Sequence, residues 1–345
     1  MDSACGLSGY RESLTDSAAR PTDAIGSALR RFGIGDVVDA GSPVEASYRL
    51  RAREPRLAVV LGGPILTDSA PRSEAERFIA NRTAAKRTVA ALRSEGAAIL
   101  NVRTSNTEFL REIAAEAGEL RIALRGAVCA TGLTGSNVVL MGAHWLSGTA
   151  PARGDILASL GELDEGSVIE QARNMARRGL AVTSGLLSLR RTALPREAMD
   201  SRHLDELIPI LPHTRHLIQM KQLGGYLSGR RQLAEYTGIR EPSPVQRRVI
   251  ERGWRVLLDA VREFVQSGGL LLPASHGPGF GIVPGFALRE EVTLLAHTLE
   301  SATDAISLAT GKARAFFGLE TSGWVESNVK GPRDRDFILS LDHAP

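Results

Sequence analysis

Residues 268–289 read Gly-Gly-Leu-Leu-Leu-Pro-Ala-Ser-His-Gly-Pro-Gly-Phe-Gly-Ile-Val-Pro-Gly-Phe-Ala-Leu-Arg. The stretch Leu270–Ser275 is a short apolar run preceded by Gly268-Gly269, the pattern of a strand. A Gly- and Pro-rich loop follows it, and residues 288–318 carry two further helical segments ending near Gly318. Before it, residues 245–267 place Val249, Trp254, Val256, Leu257, Val261 and Phe264 at helical spacing. Helix, strand, loop and helix in that order make a βα unit of a parallel sheet.

The same alternation runs through the chain. Eight strands are expected, at Asp2–Leu7, Gly35–Asp39, Leu57–Leu61, Ala98–Val102, Leu120–Leu124, Val138–Gly142, Ala181–Ser184 and Leu270–Ser275. Amphipathic helices are expected between them. Residues 82–95 put Ala85, Val89 and Leu92 on one face, and Gly96 stands where a helix-ending glycine belongs. Residues 107–117 and 167–178 follow the same pattern. Two regions read as irregular: 62–81, which contains Gly62-Gly63-Pro64, and 185–244, an insert between the seventh and eighth strands. A long insert at the mouth of a barrel suits a lid or binding loop.

With 345 residues, 43% hydrophobic and 23% charged, the chain can bury one large core. Neither the low hydrophobicity nor the high net charge of a disordered chain is present. The formal net charge is +3, and arginines interleave with acids, as in Arg111-Glu112 and Arg289-Glu290-Glu291. No basic stripe with aromatics between is seen, which argues against nucleic-acid binding. Two cysteines, Cys5 and Cys129, do not make a disulfide framework. No apolar run approaches a membrane span, and the N-terminus has no basic-then-apolar leader, so a cytoplasmic protein is the expectation.

Residues 268–289 resemble the last barrel strand and following loop of amidohydrolases of the imidazolonepropionase and prolidase-like branch. There an apolar strand leads into Gly-Thr-Asp and a Pro-Gly-Phe-Ser-Leu-His-like run. Residues 303–319 resemble that branch's final helix, and 323–342, ending Arg-Asp-Phe-Ile-Leu-Ser-Leu-Asp, its C-terminal tail. Residues 33–43 and 82–102 are similar to the second-strand segment and to the helix and strand leading to the family's carboxylated lysine. The resemblance implies a TIM-like (β/α)8 barrel of amidohydrolase type, a single domain over 1–345. It also implies that the outer β-sandwich is largely absent, with 323–345 as its remnant.

The resemblance fails at the metal ligands. The family's paired histidines of the first strand correspond to Ala4 and Gly6, the bridging lysine to Asn101 and the fifth-strand histidine to Arg125. The sixth-strand histidine corresponds to His144 and the eighth-strand aspartate to His276. A catalytic zinc needs about three protein ligands and a water. Ala4 and Gly6 have no ligating side chain, Asn101 cannot form a carbamate, and Arg125 repels a cation. The expectation is therefore no metal and no other cofactor.

Strand C-terminal ends carry the active site in such barrels. His276 is the candidate proton carrier, because imidazole titrates near neutral pH. Arg125 is the candidate clamp for a carboxylate or phosphate. His144 with Trp145 suggests a polar group beside an aromatic wall, and Asn101 and Arg103 flank the fourth strand end. Ser184 and Ser275 are hydroxyls at strand ends. Cys5 is a nucleophile if a neighbouring cation lowers its pKa. Lys221 and Tyr226 of the insert could reach over the mouth. Each also has a purely structural explanation: a satisfied loop histidine, a space-filling arginine, a loop-starting serine, a surface lysine.

The expected function is a metal-independent enzyme using acid–base chemistry on a small organic substrate in specialised metabolism. Cyclisation, dehydration, isomerisation or elimination need only proton movement and substrate folding. The alternatives are a non-catalytic ligand-binding or scaffold homologue and a hydrolase with an altered metal site. The resemblance also implies a homodimer.

Overall fold

The computed structural model describes residues 1–5, 26, 29–30, 32–39, 41–71, 76–125, 137–147, 156–194, 242–276, 282 and 285–319, with the backbone alone at 2–5, 125 and 156. Ten strands form within these residues: β1 Asp2–Cys5, β2 Asp36–Asp39, β3 Ala58–Val60, β4 Ile65–Thr67, β5 Glu76–Phe78, β6 Ile99–Arg103, β7 Arg121–Arg125, β8 Val138–Leu140, β9 Ala181–Thr183 and β10 Leu270–Leu272. All eight expected strands are present, most of them shorter than their apolar runs. Every pairing is parallel. One sheet has the order β1-β2-β3 and the other β10-β9-β8-β7-β6-β4-β5.

The stretch 62–81 is not the irregular loop that its Gly-Gly-Pro suggested, since β4 and β5 lie in it. The third strand breaks at Gly62-Gly63-Pro64. Its first part, β3, pairs with β2; its continuation, β4, pairs with β6 through Ile65 and Asn101. A Cβ on Gly62 would lie 2.0 Å from Asp39 O and 2.6 Å from Asn101 Nδ2, so only glycine fits there. Pattern reading misses β4 and β5 because each has three residues, too few to show a period.

The helices are α1 Val44–Arg53, α2 Arg82–Ser94, α3 Thr107–Ala117, α4 Ile156–Glu162, α5 Glu165–Arg177, α6 Leu186–Ala193, α7 Pro244–Gln266, α8 Phe286–Leu299, α9 Ala302–Ser307 and α10 Ala313–Phe316, with a π-turn at Leu308–Lys312 between the last two. Their starts follow the capping chemistry. Asn81 accepts from Ala84 N, Asn106 from Glu108 N, and Asp164 from Ser167 N. Ser243 and Gln246 form a reciprocal capping box with Pro244 in the first turn of α7. Helix α5 begins two residues earlier than the pattern suggests, because Asp164 caps it. The insert is likewise not irregular at its start, where α6 forms.

Inward-facing side chains from the eight expected strands meet in one core: Met1 beside β1, Val38, Val60, Ile99, Ala123, Val139, Ala181 and Leu272. Alternation along each strand sends Leu100, Val102, Ile122, Leu124, Leu140, Val182 and Leu271 outward into a second apolar layer shared with the helices. The strands thus surround a filled interior with helices outside, although no ladder joins β10 to β1 among the described residues. The N-terminal ends of the strands are closed by α10. Phe317 enters the inner core, Arg121 stacks 4.6 Å from the Phe316 ring, and Arg314 grips Asp36 at 2.8 and 3.0 Å.

Helices α4 and α7 meet backbone to backbone. A Cβ on Gly253 would lie 1.8 Å from Leu157 O, and one on Gly161 2.5 Å from Val249 O. Gly253→Ala must force the helices apart and is expected to destabilise the fold by roughly 1–3 kcal/mol, the usual effect of overpacking. Gly311 has open space around its Cβ position, so Gly311→Ala is expected to be neutral or to stabilise by up to about 1 kcal/mol. Urea denaturation of the two variants checks both; equal effects would refute the contact.

Candidate functional site

The C-terminal ends of the strands gather opposite Phe316 and Phe317. Three of them build one cluster. Strand β9 ends on Thr183; β8 continues through Met141 and Gly142 into a 3-10 turn, Ala143–Ser147, that carries His144; β10 continues through Ser275 to His276. Thr183 Oγ1 is the hub. It accepts a hydrogen bond from Gly142 N at 2.8 Å and lies 2.6 Å from His276 Nε2 and 3.4 Å from Leu140 O.

His276 has a φ of 51°, the left-handed region that a side chain of this size rarely enters. Such strain persists only where neighbours enforce it, and it concentrates at functional sites. The neighbours here are two glycines. A Cβ on Gly185 would lie 2.9 Å from His276 Cγ and Nδ1. A Cβ on Gly142 would lie 2.6 Å from His144 Nδ1 and 3.7 Å from His276 Cε1. Both glycines also have positive φ, 115° and 56° for Gly142 and Gly185. They make room for two imidazoles side by side. Gly185 offers α6 no side-chain cap, and the fully buried Glu291 of α8 replaces it, accepting from Leu186 N at 2.9 Å and Leu187 N at 2.7 Å.

His144 is buried, and neither ring nitrogen has a hydrogen-bond partner among the described residues. Burial disfavours its charged form and pushes its pKa down to about 4. The ring is therefore neutral at neutral pH, with one donor and one acceptor nitrogen. On the far side of the mouth, Asn101 Nδ2 donates to Gly63 O at 3.2 Å, while its buried Oδ1 has no partner among the described residues. Asp39, fully buried at the end of β2, accepts from the Ser47 hydroxyl.

The other sequence candidates divide by environment. Arg103 is held in a forked pair by Glu76 of β5, at 2.9 and 2.8 Å, with Ser69 Oγ at 3.3 Å. Trp145 lies in the apolar layer between strands and helices, because its turn packs against α5 and α7. Ser184 Oγ accepts from Ala274 N at 3.2 Å, and its backbone bonds to Ala143 and Leu272, so it stitches β8, β9 and β10 together. Ser275 is fully buried. The backbone of Arg125 closes β7 in register with Arg103, and that of Cys5 closes β1 in register with Asp39. Lys221, Tyr226 and the tail 323–345 lie outside the described residues. Thr183, Asp39, Gly142 and Gly185 were not among the sequence candidates. A polar residue closing a strand was the available signal for the first two.

The zinc implied by the amidohydrolase resemblance does not fit this donor set. Asn101 presents an amide already bonded to Gly63, and His276 Nε2 is engaged by Thr183. Among the described residues no three His, Cys, Asp or Glu side chains converge to hold an ion.

No family model and no curated protein sequence matches the chain. Solved structures do. An amidohydrolase is similar at 14% identity with a TM-score of 0.56, over 92% of this chain and 74% of its own. A Xaa-Pro dipeptidase is similar at 10% identity with a TM-score of 0.54, over 93% and 75%. The ochratoxinase of A. niger is similar at 13% identity with a TM-score of 0.52, over 91% and 70%. Such likeness extends along nearly the whole chain and concerns the fold alone: the chain has the fold of the amidohydrolase superfamily.

Proposed function

We propose that this chain is an amidohydrolase-fold enzyme that converts a small organic substrate by acid–base chemistry at its histidines, without a metal-activated water. The observation that carries the reading is His276. It is a strained imidazole at a strand end, locked by Thr183, with the neutral His144 beside it. An imidazole held in place can give or take a proton in the transition state. The donor set supports the second half of the reading. With Ala4, Gly6, Asn101 and Arg125 at the family's ligand positions, hydrolysis loses its usual nucleophile. Cyclisation, dehydration, isomerisation and elimination keep what they need. Arg125 at the end of β7 is the proposed contact for an anionic substrate group. The insert 185–244, whose first helix starts two residues after Ser184, is the proposed lid.

The test is a substrate screen with chelator present. Protein purified without added metal is incubated with a panel of small carboxylic acids, lactams and cyclic imides, and products are read by mass spectrometry. The expected result is turnover of one class that survives EDTA and falls by roughly 10²-fold or more in His276→Gln, the scale of general acid–base catalysis. Stoichiometric zinc, iron or manganese in the protein, or activity restored by Zn²⁺ after chelation, would overturn the reading. Binding without turnover across the panel would favour a ligand-binding homologue.

His144 adds a pH prediction. Its ordinary pKa is 6.5, and in the folded chain it is about 4. Between these values the unfolded chain binds the proton and the folded chain does not, so stability is lost as pH falls through this window. Urea denaturation at pH 7 and 4.5 is expected to show a loss roughly 2–3 kcal/mol larger for the native chain than for His144→Gln. Equal losses would show that His144 is not buried neutral.

A further inference from the structure

We infer that Asn101 and His144 line a subsite for an uncharged polar group of the substrate, one that carries an N–H or O–H donor. This deepens the acid–base reading by naming part of what is bound, and it rests on that reading for its functional meaning. The two side chains share one end of the barrel. Ile99 faces the inner core and Leu100 the outer layer, so alternation along β6 turns Asn101 inward, one layer above Ile99. His144 sits in the turn that follows β8, and only β7 lies between β6 and β8 in the sheet. Both side chains are buried with their hydrogen bonding incomplete. Asn101 Oδ1 and both His144 ring nitrogens have no partner among the described residues. Buried polar groups left in this state are rare in folded chains and call for a ligand or a water.

Neither group can relieve itself by turning. Asn101 Nδ2 donates to Gly63 O at 3.2 Å. A flipped amide would set two carbonyl oxygens against each other, so Oδ1 must face away from Gly63. His144 is held between Gly142, where a Cβ would lie 2.6 Å from Nδ1, and the Trp145 ring at 5.5 Å. Asn101 Oδ1 lacks a donor. The neutral imidazole lacks one donor and one acceptor, whichever nitrogen holds its proton. A carboxylate offers acceptors only, and would leave Oδ1 and the ring lone pair unmet. It would also lose its hydration beside two groups that bring no positive charge, since burial keeps His144 neutral. An uncharged amide or hydroxyl offers both donor and acceptor. Any anionic part of the substrate belongs instead at Arg125, on the strand between the two.

The test uses three probes of matched size at neutral pH: 2-pyrrolidinone, which has an N–H beside its carbonyl, N-methyl-2-pyrrolidinone, which lacks it, and butyrate, which is an anion. Binding is read by calorimetry and saturation-transfer NMR. The expected result is that 2-pyrrolidinone binds and that the other two bind roughly 10-fold or more weakly, the scale of one or two lost hydrogen bonds. Asn101→Ala and His144→Leu are each expected to weaken 2-pyrrolidinone by a similar factor and to leave butyrate unchanged. Either control binding as tightly as 2-pyrrolidinone overturns the inference. So does 2-pyrrolidinone failing to bind, which would leave the two groups to ordered water. Should the variants fail to fold, the native chain still decides: with ¹⁵N-histidine, the ring that stays neutral at mildly acid pH is expected to shift with 2-pyrrolidinone, and an unmoved ring overturns the inference. Binding is read without turnover, so its failure leaves the acid–base reading standing, while turnover retained in His276→Gln strikes that reading alone.

Discussion

At Gly62 there is no room for a single carbon atom. The Asp39 carbonyl oxygen and the Asn101 amide occupy the space that a Cβ would take, at 2.0 and 2.6 Å. That approach lets one stretch of chain serve two sheets: before the glycines it pairs with β2, and after Pro64 it pairs with β6. Without the break, the three-stranded and seven-stranded sheets would have no common strand. The eight inward side chains from Met1 to Leu272 would then not converge on one core. The same junction places Asp39 and Asn101 next to one another at the strand ends, so the constraint that joins the sheets also shapes one wall of the mouth.

Much of this architecture was legible before any coordinates. Helix α2 follows the spacing of Ala85, Val89 and Leu92, and α7 that of Trp254, Leu257, Val261 and Phe264, because a helix packed on a sheet must show a 3.6-residue apolar stripe. The strand apolar runs were visible for the converse reason: strands covered on both faces need no polar alternation. What failed was short or locally unremarkable. Strand β4 owes its existence to pairing with β6, a contact across more than thirty residues of sequence, and β5 to pairing with β4, rather than to their own composition.

The site was legible residue by residue and opaque as a constellation. His276 and His144 stand out because each follows an apolar run at a strand end. Thr183 does not stand out. Its importance comes from lying between two neighbouring strands, where its one hydroxyl touches both Gly142 and His276. Gly142 and Gly185 gain theirs from what packs over them. Arg103 shows the opposite case, a promising strand-end arginine whose partner, Glu76, comes from a strand that the pattern does not reveal. Side-chain chemistry is written locally, but which groups share a hydrogen bond is set by register.

The energetics of the cluster point to an arrangement imposed by its surroundings rather than one that stabilises the fold. A buried imidazole with no partner among the described residues, as at His144, is unfavourable, and a histidine at φ 51° adds strain of order 1–3 kcal/mol. Neither helps the chain fold. Both are held by elements that do: the β8-β9-β10 ladders, the Ser184 bonds that stitch them, and Glu291 fixing the start of α6 beneath His276. A histidine locked this way cannot reorient freely. Arg103 is satisfied by Glu76 of β5, whereas His276 is held against Thr183 at a strained φ.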